Sequence, residues 1–482
     1  VLVHGMTNLL RHDWNEFGDG FCINTVTGHL WQIIPGGHYP FNGRLDPNPH
    51  VYEPIAMHAD HWHFDTGAGW QKSRDGAAND LGGGHAHSGL MIYLGDQWPA
   101  EYRGRLFTWN MHGRRANQEL LERDGSGYVG RHGRDTFLSQ DPFFRPIELA
   151  YGPDGTVAAI DWSDTGECHE RTGVHRTSGR IFTIAFGEAP RRQPVDLTRR
   201  SPAELASLTP HANEWFVRQA RLQLARRAAE QTDGLDAAEA ILRRQAGDGD
   251  PIVALRAVLA LHATRRLAAA DMVALLDHPD EHLRAWGVRL LADRWPIDGV
   301  QGPAPLSADE TALRAAAAGA VKLDFLRLAR SDPSPLVRLA LASTVQRLPL
   351  AERAALAAAL MAHDEDASDH NLPLLVWYGL MPLAAASAAR SASGSRCTVE
   401  AELAATIREL SAVFGDGRAL DDIRRLVLDE TAPADIRRAA LETLVRQGDD
   451  GLRETCLKLL GDRRFNVVAA EGLGRSDDPE AA

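Results

Sequence analysis

The spacing of apolar residues changes once along this chain, close to residue 200. Before that point, short apolar runs alternate with turns rich in Gly, Asp and Pro, and most of the histidines and tryptophans lie there. After it, Ala, Leu and Arg dominate, and apolar residues recur at the three- and four-residue steps of helices. A strand buries every second residue, whereas a helix buries residues at three- and four-residue steps. Each of the two regions therefore suits only one of these structures. We therefore predict a β-rich region at 1–190, a linker at 191–200 and an all-α region at 201–482.

The charge of the chain excludes one class of partner. Its net charge is −13 over 482 residues with both signs interspersed, which indicates a soluble protein. A nucleic-acid binder would need a basic stripe, and the sequence has none, so we expect no nucleic-acid partner. No apolar run approaches the roughly 18 residues that a transmembrane segment needs. The chain starts on Val1 without a methionine or signal peptide, and we expect it to be a fragment.

The four cysteines do not identify a redox or haem site. They form no CxxC pair and no CxxCH haem-attachment motif. A bridge between Cys22 and Cys168 would suit an oxidising compartment, whereas free buried thiols would behave as small apolar side chains. Both alternatives stay open at the level of the sequence.

The stretch 82–117 carries a dense group of titratable side chains. Its two apolar runs, 88–94 and 105–111, are rich in β-branched and aromatic residues, and we predict that both are strands. In adjacent antiparallel strands, the start of the first and the end of the second lie at the same edge of the sheet. We therefore expect the side chains that flank the two runs to converge. These are His85, His87, His112, Arg114 and Arg115.

Short strands recur through the first region without helical segments between them, which is typical of a sandwich or a propeller. A pattern of apolar strand, Gly-Pro-Asp-Gly turn, apolar strand and Gly-Arg-Ile strand occurs at 147–186, and a related one at 88–122. The repetition favours a propeller, so the predicted fold class is a partial β-propeller, its last blades, followed by an all-α HEAT-like solenoid. The blades would direct further polar residues to the same face. These are Arg145, Asp161, Asp164, His169, His175 and Arg176.

The helical region contains two alternating types of amphipathic segment. Ser201 is placed to cap the first helix, with Pro202 at its first position and Glu204 three residues after the cap. The segment 332–343, DPSPLVRLALAS, resembles a HEAT repeat. Such pairs stack into a solenoid, because no single pair buries enough apolar surface. A solenoid can bind a protein partner on its surface or act as a rigid spacer.

Several longer motifs resemble one protein family. GHAHSGLMIYLGDQWPAEYRGRLFTWNMHGRRAN at 84–117, PIELAYGPDGTVAAIDW at 146–162 and GRIFTIAFG at 179–187 are similar to the last two blades of glucose/sorbosone dehydrogenases. GYVGRH at 127–132 and the stretch 161–181 are closer still to the PVC-type membrane-bound dehydrogenases, also called the haem-binding-domain family. Only about three blades are present, whereas a closed propeller needs roughly six or seven.

The resemblance implies an oxidoreductase that acts on CH–OH groups of sugars or polyols. It also implies pyrroloquinoline quinone with calcium as the cofactor, a cytochrome c-type electron acceptor with haem c on a domain absent from this sequence, and an extracytoplasmic location, periplasmic or at the cell surface. His87 or His112 would then be the general base, and Arg114 or Arg115 would stabilise developing negative charge. The alternative is a non-catalytic propeller and solenoid that bind glycan or protein.

A second histidine pattern raises the question of a metal. In HADHWHFD at 58–65, His61, His63 and Asp65 alternate and would share one face of an extended strand, as would His85 and His87. Three or four converging groups of this kind can hold Zn, Cu or Fe. The spacing matches no helical HExxH site. Hydrogen-bonded side chains that line a wet propeller channel are the alternative, so the sequence leaves the metal unknown.

Overall fold

The computed structural model describes most of the chain. Within the described residues, no helix combines the length and the apolar character that a bilayer crossing demands. The described residues are 2–63, 86–163, 165, 175, 177–312, 322–391 and 417–475, with short gaps at 7, 26–27, 41–45, 49, 52, 62, 192, 304, 431–433 and 448–450.

The first region contains three small antiparallel sheets. Their strand orders are β1-β2-β3, β4-β5-β6-β7 and β8-β9-β10. The strands are β1 Leu9–Trp14, β2 Gly20–Asn24, β3 Trp31–Ile33, β4 His87–Ile92, β5 Leu106–Asn110, β6 Arg115–Asp124, β7 Gly127–His132, β8 Pro146–Tyr151, β9 Val157–Asp161 and β10 Arg180–Ile184.

The prediction of a partial β-propeller followed by a HEAT-like solenoid is wrong. The described strands form open sheets of three or four strands, none of them closed or propeller-like, and a helical region accompanies them. Strand β4 is buried along its whole length. Its Ile92 amide donates to Asp13 of β1 at 2.9 Å, and Ser88 Oγ donates to the Pro146 carbonyl of β8 at 2.9 Å. The regular turn spacing specifies antiparallel meanders, but meanders alone do not specify how sheets assemble.

The prediction that 88–94 and 105–111 are neighbouring antiparallel strands is confirmed by β4 and β5. Their register places His87 opposite Asn110, and the Met111 amide donates to the Ala86 carbonyl at 3.0 Å. The β4–β5–β6 hairpins continue into β7 without a crossover. This sheet carries the polar group described below.

Helices form the rest of the described chain. The predicted cap at Ser201 is confirmed, because its Oγ accepts from the Glu204 amide at 3.3 Å and its own amide donates to the Glu204 carboxylate at 2.8 Å. The helices are α1 Pro202–Ala206, α2 Glu214–Ala229, α3 Leu235–Ala246, α4 Pro251–Ala263, α5 Ala269–Leu275, α6 Glu281–Ala292, α7 Lys322–Ser331, α8 Pro335–Val345, α9 Leu350–Leu360, α10 Leu372–Ser391, α11 Gly417–Leu428, α12 Ala434–Gln447, α13 Leu452–Leu459 and α14 Asn466–Arg475.

The largest apolar core is shared between sheet β1–β3 and the helices. Trp31, Tyr39 and Ile55 lie in the same buried cluster as Val345 of α8 and Tyr378 of α10. Polar contacts cross the same boundary, and they include the bond from Gln346 Nε2 to the Gly36 carbonyl at 2.8 Å. Burial of a shared apolar surface stabilises both parts together.

Two buried ionic contacts also fix the helices. Arg353 of α9 forms a fully enclosed pair with Asp298, with nitrogen–oxygen distances of 2.6 and 2.8 Å. Arg289 of α6 donates to Asp19 of the β1–β2 turn at 2.8 Å, and Tyr128 Oη donates to the same carboxylate at 2.9 Å. Charged groups out of water need such partners.

Cys22 lies in the shared core as a buried free thiol, with Sγ 3.6 Å from Met6 Sδ. Burial raises the pKa of Cys22 to about 12, so the thiol stays protonated. The partner suggested for it, Cys168, lies outside the described residues.

Candidate metal centre

A carboxylate lies at the centre of the four-stranded sheet. Glu119 belongs to β6, where it stands opposite Leu106 of β5 and His132 of β7, and its side chain is fully buried. A buried carboxylate costs several kcal/mol unless partners compensate its charge. Here the partners are imidazoles that arrive from two other parts of the chain.

The segment 58–63 brings two of these imidazoles to Glu119. Ala59 forms a parallel bridge with Gly130 of β7, and the Gly130 amide donates to the His58 carbonyl at 2.6 Å. On its other side, the His58 amide donates to the Leu30 carbonyl at 2.9 Å. The start of the segment is thus hydrogen-bonded on one side to β7 and on the other to the residue before β3. A Cβ on Gly130 would lie 2.3 Å from Leu30 Cδ2, so any larger residue would force the Leu30 side chain to move.

Three imidazoles surround the Glu119 carboxylate. His63 Nε2 is hydrogen-bonded to Oε1, His29 Nε2 lies 3.6 Å from Oε1, and His61 Nε2 lies 3.4 Å from Oε2. The Nε2 atoms of His61 and His63 are 3.2 Å apart. All four side chains are buried, and one potential ligand atom from each lies within 4.8 Å of the others. The geometry therefore gathers three nitrogen donors and one oxygen donor round one point.

The electrostatics of His29 and Glu119 favour the protonation states that metal ligands require. For His61 the direction is opposite: burial alone would lower its pKa, but Glu119 and Asp60 outweigh burial and raise it. Burial, together with the neighbouring His63, lowers the pKa of His29 to about 3, so this imidazole is neutral near pH 7. Burial alone would raise the pKa of Glu119, but the three neighbouring histidines outweigh it and hold the pKa well below its usual range. A neutral imidazole and an ionised carboxylate both offer lone pairs.

His61 has an acidic partner on its outer nitrogen. Its Nδ1 lies 2.8 Å from Asp60 Oδ1, while Asp60 Oδ2 lies 2.5 Å from an Arg131 nitrogen. Arg131 is held in turn by Glu122 at 2.9 Å. Metal-bound histidines usually donate their other ring N–H to a carboxylate or carbonyl, which fixes the tautomer and makes the ligand more basic. His61 has this arrangement, with Nε2 facing the centre.

His87 stands behind the three ligand imidazoles. Its ring centroid is 5.6 Å from that of His29 and 5.5 Å from that of His63, and the side chain is fully buried. Burial and the neighbouring imidazoles hold the pKa of His87 well below its usual value, against a smaller opposing effect of Asn117. Asn117 donates to Asp135 at 2.8 Å. This predicted site residue therefore adjoins the centre without being one of the four converging ligands.

His132 stands on the opposite, outer side. Its ring centroid lies 5.2 Å from that of His61 and 5.0 Å from that of His63. Its Nε2 is 3.8 Å from Asp135 Oδ1, and Arg115 contacts the other oxygen of that carboxylate at 3.2 Å. Arg115, another predicted site residue, thus helps to position the rim of the centre through Asp135.

The other predicted residues are distributed elsewhere. His112 and Arg114 lie in the β5–β6 turn, at the same end of the sheet as His87. Asp161 accepts from the Arg145 amide at 2.7 Å, and the Arg145 side chain donates to the Pro142 carbonyl at 3.0 Å, so these two form a network in sheet β8–β10. The residues outside the described part are His85, Asp164, His169, Arg176 and, in the metal hypothesis, Asp65.

His175 is exposed, with its ring 5.1 Å from that of Phe143. The predicted convergence of every polar residue on one propeller mouth therefore does not describe the site. Two ligands were missed altogether. His29 precedes a short strand and Glu119 lies within a polar-looking strand, so neither carries a local spacing signal.

The donor set decides which cofactor fits. Calcium prefers six to eight oxygen ligands. Three imidazole nitrogens and one carboxylate do not provide them, so this group does not fit the calcium implied by the family resemblance. Imidazole with carboxylate suits Zn, Cu, Fe or Ni, and four donors fill a tetrahedral site or most of an octahedral one.

Comparison with known proteins adds one match in this part of the chain. Residues 12–170 match the family model of a domain of unknown function, DUF7133. All four converging residues lie inside that span. No curated protein matches the chain. Among solved structures, a crystal structure of an engineered protein from the Northeast Structural Genomics Consortium is 16% identical, with 57% of this chain and 78% of that chain covered, and its TM-score of 0.24 carries no argument.

Proposed function

We propose that this chain is a metalloprotein that holds a divalent first-row transition-metal ion on His29, His61, His63 and Glu119. The observation that carries the proposal is the convergence of four buried ligand atoms within 4.8 Å. Exposed acidic clusters are common without ions, whereas a buried set dominated by imidazoles needs a specific reason to persist.

The cost of burying these groups supports the proposal. Both ring nitrogens of His29 are buried and have no hydrogen-bond partner among the described residues. Leaving a buried polar group unsatisfied costs about 1–3 kcal/mol. Coordination through Nε2 would satisfy one of these nitrogens, and the ion's charge would offset the burial of the Glu119 carboxylate.

The chain's own residues would do three things for a bound ion. The side chains of His29, His63 and Glu119 are fully buried, so they fix the ligand positions. Asp60 orients His61 through its outer nitrogen at 2.8 Å. The buried surroundings keep bulk water from most of the group. When bound, such an ion supplies Lewis acidity and lowers the pKa of a coordinated water.

A second candidate function is the dehydrogenase implied by the sequence resemblance. It would oxidise a sugar or polyol and pass electrons to a cytochrome c-type acceptor outside the cytoplasm. What supports it, beyond the motifs, is that His87, a predicted base, lies beside the centre. Dye-linked oxidation of a sugar panel by the purified protein, with and without added quinone, tests it. Binding of glycan without turnover would favour the non-catalytic alternative, and binding of a protein partner by the helices is a further proposal.

Metal analysis of the purified full chain tests whether the protein binds a metal ion. We expect a single equivalent of a first-row metal after loading and desalting, measured by inductively coupled plasma mass spectrometry. Glu119→Gln and His63→Gln should each weaken binding by more than about 100-fold, since loss of an outer-shell partner already costs 10–100-fold.

The matched control is His38→Gln. His38 is also a buried histidine with an acidic partner, Asp46, at 2.9 Å, but it lies outside the four converging residues. It should keep the metal. If the wild-type protein binds no metal tightly, or if His38→Gln loses it as the two ligand variants do, the proposal is refuted. Circular dichroism establishes that each variant is folded.

A further inference from the structure

The imidazoles round the centre are not equally accessible. The side chains of His29, His63 and Glu119 are fully buried, and so is His87 behind them. On the opposite side, the side chain of His132 is 22% exposed. Among the described histidines of this group, His132 therefore has the most exposed side chain, since that of His61 is 7% exposed.

We propose that the metal centre is open, and that a small external ligand reaches the ion past His132. This inference rests on the proposed function. Four protein ligands complete a tetrahedral coordination shell, but they leave two positions of an octahedral shell vacant. A metal in a catalytic site keeps such a vacant position for water or substrate. His132 lies on the accessible side of His61 and His63, where that position would meet solvent.

His132 is also equipped to contact the incoming ligand. Its Nδ1 is buried and makes no hydrogen bond within the part of the chain that the structure describes. The other nitrogen lies 3.8 Å from Asp135. A ligand bound between His132 and the ion could exchange a hydrogen bond with Nδ1, which would satisfy a nitrogen that is otherwise costly to bury.

Charged side chains near His132 are held by their own contacts. Asp135 is held on one side by Arg115 at 3.2 Å and by Asn117 at 2.8 Å. On the other side, Asp60 and Arg131 are paired at 2.5 Å. These contacts fix charged side chains near His132. We infer that the ligand that passes this imidazole is a species of two or three heavy atoms, such as peroxide, cyanide or azide, rather than a sugar ring.

Ligand titration of the cobalt-loaded full chain tests this proposal. Cobalt(II) accepts the same donors and reports changes in its coordination through its visible absorption. We expect azide to shift the visible spectrum of the wild-type protein saturably, and imidazole, a five-membered ring, to leave it unchanged. In His132→Ala the opening is wider, so imidazole should now shift the spectrum and azide should bind faster.

His87→Ala is the matched control. It removes another imidazole that adjoins the ligands, but from the enclosed side, so it should retain the wild-type exclusion of imidazole. Imidazole binding in His87→Ala but not in His132→Ala would refute entry of the ligand past His132. Imidazole binding to the wild-type protein would refute the limit on ligand size.

The experiment distinguishes a closed metal site from the absence of a metal site. If cobalt binds but azide shifts the spectrum of neither the wild type nor His132→Ala, the site is closed and the inference is overturned while the metal site stands. If cobalt does not bind, the proposed function fails first. The comparison of azide with imidazole on the wild-type protein needs no variant, so the test survives a variant that does not fold.

Discussion

Asp60 provides the sharpest test of how residues around the four converging side chains change the metal affinity. It contacts no converging ligand atom, but its Oδ1 lies 2.8 Å from His61 Nδ1. Burial acts against ionisation, yet the hydrogen bonds from His61 and Arg131 hold the pKa of Asp60 below its usual value, so the group is a carboxylate at neutral pH. An ionised acceptor makes the imidazole a more basic ligand and fixes its tautomer.

The expected magnitude follows from what each substitution removes. Asp60→Asn keeps an oxygen that can accept from His61 but loses the charge, and we expect about a tenfold loss of metal affinity, or about 1.4 kcal/mol. Asp60→Ala loses the acceptor as well and should approach 100-fold. Competition with a chromogenic chelator at fixed pH measures both. Glu122→Gln is the control, because Glu122 also pairs with Arg131, at 2.9 Å, without touching His61.

Two outcomes would refute the reasoning about Asp60. One is unchanged affinity in both Asp60 variants. The other is an equal loss in Glu122→Gln, because the effect would then come from the Arg131 network rather than from the orientation of His61.

Three further predictions concern stability, measured as the free energy of unfolding in urea. Gly130→Ala should cost about 1–3 kcal/mol, because the new Cβ meets Leu30 Cδ2 at 2.3 Å. Arg353→Leu should cost about 3–5 kcal/mol, because it removes the arginine whose charge compensates that of the buried Asp298 carboxylate. Burial opposes ionisation of Asp19, but Arg289 holds its pKa below the ordinary 3.8. The stability from Asp19 is thus present above that pH and lost as the pH falls below it, so Asp19→Asn should lower stability at pH 7 and flatten the acid loss below about pH 4.

Each stability prediction has a distinct control or contradicting result. For Gly130 the control is Gly249→Ala, whose added Cβ meets no atom within 4 Å and should be nearly neutral. For Arg353, a loss below 1 kcal/mol would mean that water reaches the buried carboxylate. For Asp19, an unchanged acid slope in the Asn variant would show that other carboxylates carry the acid sensitivity.

The local structure of this chain was more predictable than its assembly. The two strands β4 and β5 and the cap at Ser201 follow from short-range patterns of apolar residues and side-chain hydrogen bonds. The propeller does not follow from them. A meander of three or four strands has the same local pattern in several architectures, and contacts between sheets decide among these.

The candidate site shows the same limit. His61 and His63 were identified because their alternation places both on one face of an extended segment. His29 and Glu119 carry no such signal, because Glu119 is 56 positions from His63 and meets it only through the bridge between Ala59 and Gly130. Side chains that converge across such separations are specified by tertiary packing, which a single sequence does not display.

The apolar core shared by β1–β3 and the helices has a practical consequence for producing this protein. A chain cut near residue 195 would expose a large apolar surface to water on each fragment, since residues such as Trp31 and Tyr378 lie in the same buried cluster. The histidine-rich sheets expressed without their helices should therefore aggregate, and chimaeras that exchange one part alone should do so as well. Work on the metal centre will need the helices in the same polypeptide.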